Sequence, residues 1–148
     1  MTGRWIVLTL VHFAATWMMT GLIWTIHVVH YPLFDKVGEA TYEAFQTEHM
    51  RRISQLLLVP WGVESLTALA LVVAAPTARL RVLAIMGLVL VGAILLVTGL
   101  GAAPIHGRLV DGFDAGEHRR LLQVDLVRTL MWTVRGLLAG VIVWLTVR

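Results

Sequence analysis

The fold class this 148-residue sequence predicts is all-α: an integral membrane bundle of four transmembrane helices. Composition is the first reason. The chain is 58% apolar and 14% charged, against about 45–50% and about 25% in soluble domains. The second reason is that four apolar stretches are each long enough for a span of about 20 residues, at about 5–31, 53–75, 82–105 and 121–147. The third is that too little chain remains outside them for a further domain, so residues 1–148 read as one transmembrane domain.

The first span carries no formal charge from Trp5 to Phe34 and is expected to stop near Pro32, where the proline removes a donor and disfavours helix in the residue before it. Its apolar run exceeds the 7–15 residues of a signal-peptide core, so it reads as a retained anchor. The polar connection that follows carries Asp35, Lys36, Glu39, Glu43 and Glu48, with Ala40, Ala44, Phe45 and His49 at helical spacing. It predicts a short amphipathic helix leading into span two. Span two contains Pro60 and Glu64 and is expected to bend at the proline, ending where Ala75-Pro76-Thr77 opens a turn with Arg79 and Arg81. Span three bears Gly87, Gly92, Gly99 and Gly101, small residues that let neighbouring helices approach. Span four is the most polar, with Gln123, Asp125, Arg128 and Arg135.

Four spans put both termini and the 76–81 turn on one face, which holds Arg4, Arg79, Arg81 and Arg148 and no acid. A multi-pass protein of the cell membrane with cytoplasmic termini is the expected arrangement. The chain also resembles two copies of a helix pair. His30-x-x-Leu33 precedes Glu48-His49-x-Arg51, and His106-x-x-Leu109 precedes Glu117-His118-x-Arg120. Duplication and chance likeness of short motifs both account for this.

Chemistry-bearing residues concentrate in two places. Along span one, His12, Thr16, Thr20, Trp24, His27 and Tyr31 recur at steps of three or four, one stripe facing the bundle. His27, His30, His49, His106 and His118 are expected to gather near the loop-side face, where neutral imidazoles suit a metal or haem and carboxylates add oxygen ligands. The same residues also serve as hydrated interfacial groups or loop anchors. Glu64 and Arg135 fall near mid-membrane and neither is expected to stand alone. Arg128 or Arg135 is the expected partner of Glu64, either in a buried Asp125–Arg128–Glu64 network or facing a substrate. Lys and Arg are scattered, which suits membrane anchors and disfavours nucleic acid. The absence of cysteine removes thiolate chemistry, and no phosphate loop or nucleophile elbow occurs.

Pro104-Ile105-His106-Gly107-Arg108-Leu109, followed by Asp125-Leu126-Val127-Arg128-Thr129, resembles the C-terminal half of a small four-helix membrane family that includes anthrone oxygenases. That half usually reads Pro-apolar-Asn-x-x-Leu, then Asn-x-x-Arg-Thr. His106 and Asp125 stand at the two asparagines, while Arg128 and Thr129 match. His30-Tyr-Pro-Leu-Phe34 resembles bacterial members of the same family. The resemblance covers roughly residues 85–148 and implies oxidation of a hydrophobic aromatic substrate by dioxygen. His106 or His30 would remove a proton and Arg128 would stabilise the oxyanion.

Three functions follow as expectations. The first is an oxidoreductase with His30, Glu64, His106, Asp125 and Arg128 as catalytic candidates. The second is a non-enzymatic haem- or metal-binding protein using the five histidines as ligands. The third is a structural or transport subunit, a homo-oligomer through the glycines of span three. The expected partners are the lipid bilayer and a hydrophobic small molecule.

Overall fold

The computed structural model describes residues 2–148 and contains four long helices, with no strand among those residues. They are α1 (Gly3–Lys36), α2 (Glu39–Ala74), α3 (Ala78–Leu109) and α4 (Ala115–Val147), each long and apolar enough to cross a membrane. This is the all-α four-helix membrane bundle the composition predicts. α1 and α3 each pack against both α2 and α4, and no backbone contact joins α1 to α3 or α2 to α4. The helices therefore stand at the corners of a square, with the two diagonals open to side chains.

Side-chain caps start three of the helices. Thr2 accepts from the Trp5 N–H at 3.4 Å, Thr77 from the Leu80 N–H at 3.3 Å, and Asp114 from the Glu117 N–H at 2.7 Å, each satisfying a donor the helix cannot. α2 begins behind Gly38. The expected separate amphipathic helix is instead the first part of α2, which runs unbroken through 36 residues, including Pro60. At 1.5 Å per residue α2 is about 54 Å long, more than the roughly 30 Å hydrocarbon layer, so its polar start projects beyond the membrane. Glu48 fastens that start to itself through Arg51 and Arg52 at 2.7 and 2.6 Å. The turn before α4 holds Gly112 at φ 140°, a conformation side chains resist.

α1 and α3 both continue past the expected stops. Each contains one π turn, Ile26–His30 in α1 and Thr98–Ala102 in α3, placed directly before a residue-proline pair, Tyr31-Pro32 or Ala103-Pro104. In each, the residue before the proline donates its N–H five residues back, Tyr31 to Ile26 and Ala103 to Thr98. A proline ring crowds the carbonyl four residues earlier, and the extra residue of a π turn changes that register. A threonine cap, one π turn and a proline therefore recur in the same order in both halves. Aligned on the prolines, His106 falls opposite Phe34. The His-x-x-Leu likeness is thus displaced four residues from this structural correspondence.

The interior is layered. Trp5, Leu71, Leu80 and Ile142 fill the end with the termini; Met19, Ile23, Ile94 and Trp132 fill the middle; and Tyr31, Phe34, Tyr42, Leu109 and Leu121 fill the loop end. Leu58, Leu66, Val73 and Leu100 face outward, where lipid tails take the place of protein partners. Of the four glycines of α3, Gly87 and Gly101 approach α4, while Gly92 and Gly99 have open space beside them.

Candidate functional site

Polar side chains fill two places between the apolar layers. The deeper one is a clamp around Glu64 and Arg135, 0% and 1% exposed. Both lie on opposite corners of the square, and their side chains cross its diagonal. Arg135 donates to Glu64 through Nε and Nη2 and to the Gly87 carbonyl through Nη1. Thr16 on α1 donates to the same Glu64 oxygen at 3.3 Å, so all four helices meet here. His12 joins through Thr67 at 2.9 Å. Gly87 permits the approach, since a Cβ there would stand 3.4 Å from the guanidinium. The Trp132 ring lies 5.9 Å from Arg135, within cation–π range.

The second place lies at the loop end, two helical turns from the clamp along α4. Asp125, fully buried, accepts from Arg128 at 3.3 Å and pairs with His27 at 3.1 Å. Arg128 and Arg135 are seven residues apart, about 10 Å of helix rise. The expected Asp125–Arg128–Glu64 network is therefore replaced by two centres, with Arg135 taking Glu64 and Arg128 taking Asp125.

Around Tyr31 the imidazoles converge, for a reason that starts in the backbone. The π turn and the 3-10 turn behind it aim His30, Tyr31 and Phe34 into the bundle end. His118 donates to the Tyr31 carbonyl at 2.9 Å, and His30 Nε2 lies 2.9 Å from His49 Nδ1. The Tyr31 hydroxyl meets His106 Nε2 at 2.9 Å, and His106 Nδ1 meets the Gln46 amide nitrogen at 2.9 Å. That amide nitrogen also lies 3.4 Å from the His106 carbonyl oxygen, a position only a donor fills. With the Gln46 amide nitrogen toward Nδ1, an orientation that leaves Gln46 Oε1 buried without a partner, the neutral ring carries its hydrogen on Nε2 and His106 donates to Tyr31. The Tyr31 hydroxyl hydrogen is left free of His106.

A cavity of about 490 Å³ opens between α2 and α3 and ends on this cluster. Tyr31, His106 and Arg128 form its polar end, and Leu57, Trp61, Leu95 and Ala102 supply apolar wall. The Arg128 guanidinium stands beside the Tyr31 hydroxyl. Arg128 Nε and Trp61 Nε1 are buried without a partner. A second groove of about 400 Å³ at the loop side is bordered by His30, Glu48, His49 and Arg52. His49 is 7% exposed and its Nε2 has no partner.

Of the five catalytic candidates, His106 and Arg128 line the cavity, and Asp125 holds Arg128 from behind. His30 borders the second groove, and Glu64 belongs to the clamp. The five candidate metal ligands divide: His27 on Asp125, His118 on a carbonyl, His106 between Tyr31 and Gln46, and His30 with His49. Among the described residues, no group of three or more His, Asp or Glu side chains takes an arrangement able to hold a metal. Tyr31, expected on the bundle-facing stripe of span one and 3% exposed, enters the site through its hydroxyl, and Gln46 joins it as a residue with no sequence signal of its own. Gln46 and His49 stand at i, i+3 on α2, a spacing that puts both on one helix face. In comparisons with known proteins, no family model, curated protein or solved structure matches the chain.

Proposed function

We propose that this membrane protein is an oxidoreductase of the anthrone oxygenase kind, acting on a hydrophobic aromatic compound that enters from the bilayer. The observation that carries the reading is the cavity between α2 and α3, apolar along its walls and ended by Tyr31, His106 and Arg128. A substrate oxygen at that end receives hydrogen bonds from the Tyr31 hydroxyl and the Arg128 guanidinium. In a site without bulk water these donors favour the ring oxyanion over the neutral ketone. Asp125 orients Arg128, and His106 orients Tyr31.

Both ring nitrogens of His106 are engaged, so it acts through Tyr31 as a positioning residue. His49 and His30, 2.9 Å apart, border the separate groove rather than this cavity, so the methylene proton, made acidic by the two oxyanion donors, leaves to solvent. The resulting carbanion reacts with dioxygen. A ring methylene loses two hydrogens, one oxygen atom becomes the new carbonyl, and the other leaves as water.

The test is oxygen uptake by the purified protein in lipid nanodiscs supplied with anthrone, with the product identified by mass. Arg128→Leu and Tyr31→Phe are each expected to lower kcat/KM by about tenfold or more, the scale of one lost oxyanion donor. Uptake equal to that of empty nanodiscs contradicts the reading. The Glu64–Arg135 clamp supports a structural role for those two residues, because both carboxylate and guanidinium are turned into the bundle and away from the cavity lining.

A further inference from the structure

The cavity is longer than the ring system its polar end holds. We propose that its ligand is an amphiphile, an aromatic ring with an aliphatic tail of about ten carbons, seated with the ring at Tyr31 and Arg128 and the tail along α2 past Gly62 toward the bilayer centre. This rests on the reading above that the cavity takes an aromatic compound from the membrane.

The cavity is a window in the bundle wall. At the hairpin end Leu71 and Ala75 of α2 cluster with Leu80 and Ala84 of α3, and at the loop end Gln46 reaches His106. Between these closures Thr98–Ala102 makes no backbone contact with α2. The lining runs along α2 from Met50 to Ser65, about 22 Å at 1.5 Å per residue. Arg128 is the charged side chain of that lining and shares the loop end with His106 and Tyr31. The Ser54 and Thr98 hydroxyls on the wall donate to the Met50 and Ile94 carbonyls of their own helices at 2.8 Å, so neither offers a free donor. Ser65 adds one hydroxyl at the deep end and no charge. Gly62 leaves a notch in the α2 wall. A Cβ there would meet nothing within 4 Å, so the groove continues past Trp61 instead of stopping at a side chain.

Length separates a bare ring system from a tailed one. Three fused rings built from bonds of about 1.5 Å extend roughly 10 Å, under half of the lining. An extended aliphatic chain advances about 1.2 Å per bond, so about ten carbons carry the ligand on to the Gly62–Ser65 end. The orientation fits an amphiphile as well. The polar end lies at the loop side, toward the headgroups, and the other end lies level with Glu64 near mid-membrane. A molecule of the loop-side leaflet therefore enters through the window between α2 and α3 without turning over. Its tail gains little hydrophobic free energy on leaving lipid, because lipid tails are as apolar as leucine. Room at Gly62 is what selects it.

The experiment labels the protein in nanodiscs with a para-alkylphenol that carries a diazirine at the end of a ten-carbon chain, and locates the adducts by peptide mass spectrometry after ultraviolet exposure. Adducts are expected to concentrate on α2 between Trp61 and Ser65, about fivefold over those of the same probe without its hydroxyl, the scale of one hydrogen bond. Gly62→Leu fills the notch and is expected to lower them about fivefold, the low end of what overpacking costs. Adducts spread over the outward faces of all four helices, clustering at Met50 and Ile53 instead, or a pattern that the hydroxyl-free probe reproduces overturns the inference. Labelling of Gly62→Leu equal to wild type overturns it too. Anthrone binding, measured in parallel on wild type and Arg128→Leu, separates the two claims. Arg128-dependent anthrone binding with scattered probe adducts removes this inference alone, and failure of both ligands to bind removes both.

Discussion

Replacing Glu64 by Leu leaves Arg135 without its carboxylate in the centre of the bundle, and the structure sets the scale of the result. Glu64 is fully buried and accepts from Arg135 and Thr16. An ordinary interhelical hydrogen bond in a membrane protein is worth only about 0.6 kcal/mol, so loss of the Thr16 contact alone is a small effect. An unpaired buried charge is the larger one, at about 3–5 kcal/mol when one member of a buried pair is removed. Arg135 keeps one acceptor, the Gly87 carbonyl, which places the expected loss near 3 kcal/mol. Replacing both residues, Glu64→Leu with Arg135→Met, removes the charges together and is expected to fall within about 1 kcal/mol of wild type. Reversible unfolding in mixed micelles over the four-member mutant cycle reads the coupling directly. A single Glu64→Leu loss below about 1 kcal/mol, or a double variant less stable than either single one, refutes the reasoning.

Further outcomes follow from the same geometry. Nitrogen-15 NMR of the histidines is expected to find His106 protonated on Nε2, with Gln46→Leu producing a mixture of tautomers; a dominant Nδ1–H form in wild type contradicts the assigned network. Gly101→Val is expected to lower Tm, because even a Cβ there stands 3.0 Å from Val124, and overpacking costs about 1–3 kcal/mol. Gly92→Ala meets nothing within 4 Å and is expected to leave monomer stability unchanged or slightly raised, since alanine favours helix. Asp125→Asn is expected to lower Tm and weaken ligand binding together, because it removes the charge that pairs with both His27 and Arg128.

Hydropathy was sufficient for the four spans, because lipid-facing residues such as Leu66 and Val73 satisfy the same apolar rule as buried ones. It was insufficient for where the helices end. Pro32 and Pro104 carry stop signals, yet a π turn ahead of each lets the helix continue, a register change that composition does not encode. The polar stretch before span two holds no glycine or proline between Glu39 and Val59, and that absence was the available sign of one continuous helix. Charge positions were legible but their pairing was not. Arg128 and Arg135 lie two turns apart on one face, and the level at which Glu64 crosses the bundle, that of Arg135, decides which reaches it. The bundle-facing stripe of span one included Tyr31, but its part in the site stayed hidden because an aromatic at a span end also fits an interfacial belt. Its role emerges only when α2 brings Gln46 and α3 brings His106 to the same point.

The central claim, that a membrane-borne aromatic enters between α2 and α3 to reach Arg128 and Tyr31, is tested most directly by photochemistry. Benzophenone is itself an aromatic ketone that inserts into nearby C–H bonds under ultraviolet light, and adducts on the protein in nanodiscs are located by peptide mass spectrometry. Adducts are expected on the cavity wall at Leu57, Trp61 and Ala102, suppressed by excess anthrone and reduced in Arg128→Leu. Adducts spread over outward-facing residues such as Val7, Leu66 and Val73, unchanged by anthrone or by the substitution, contradict it.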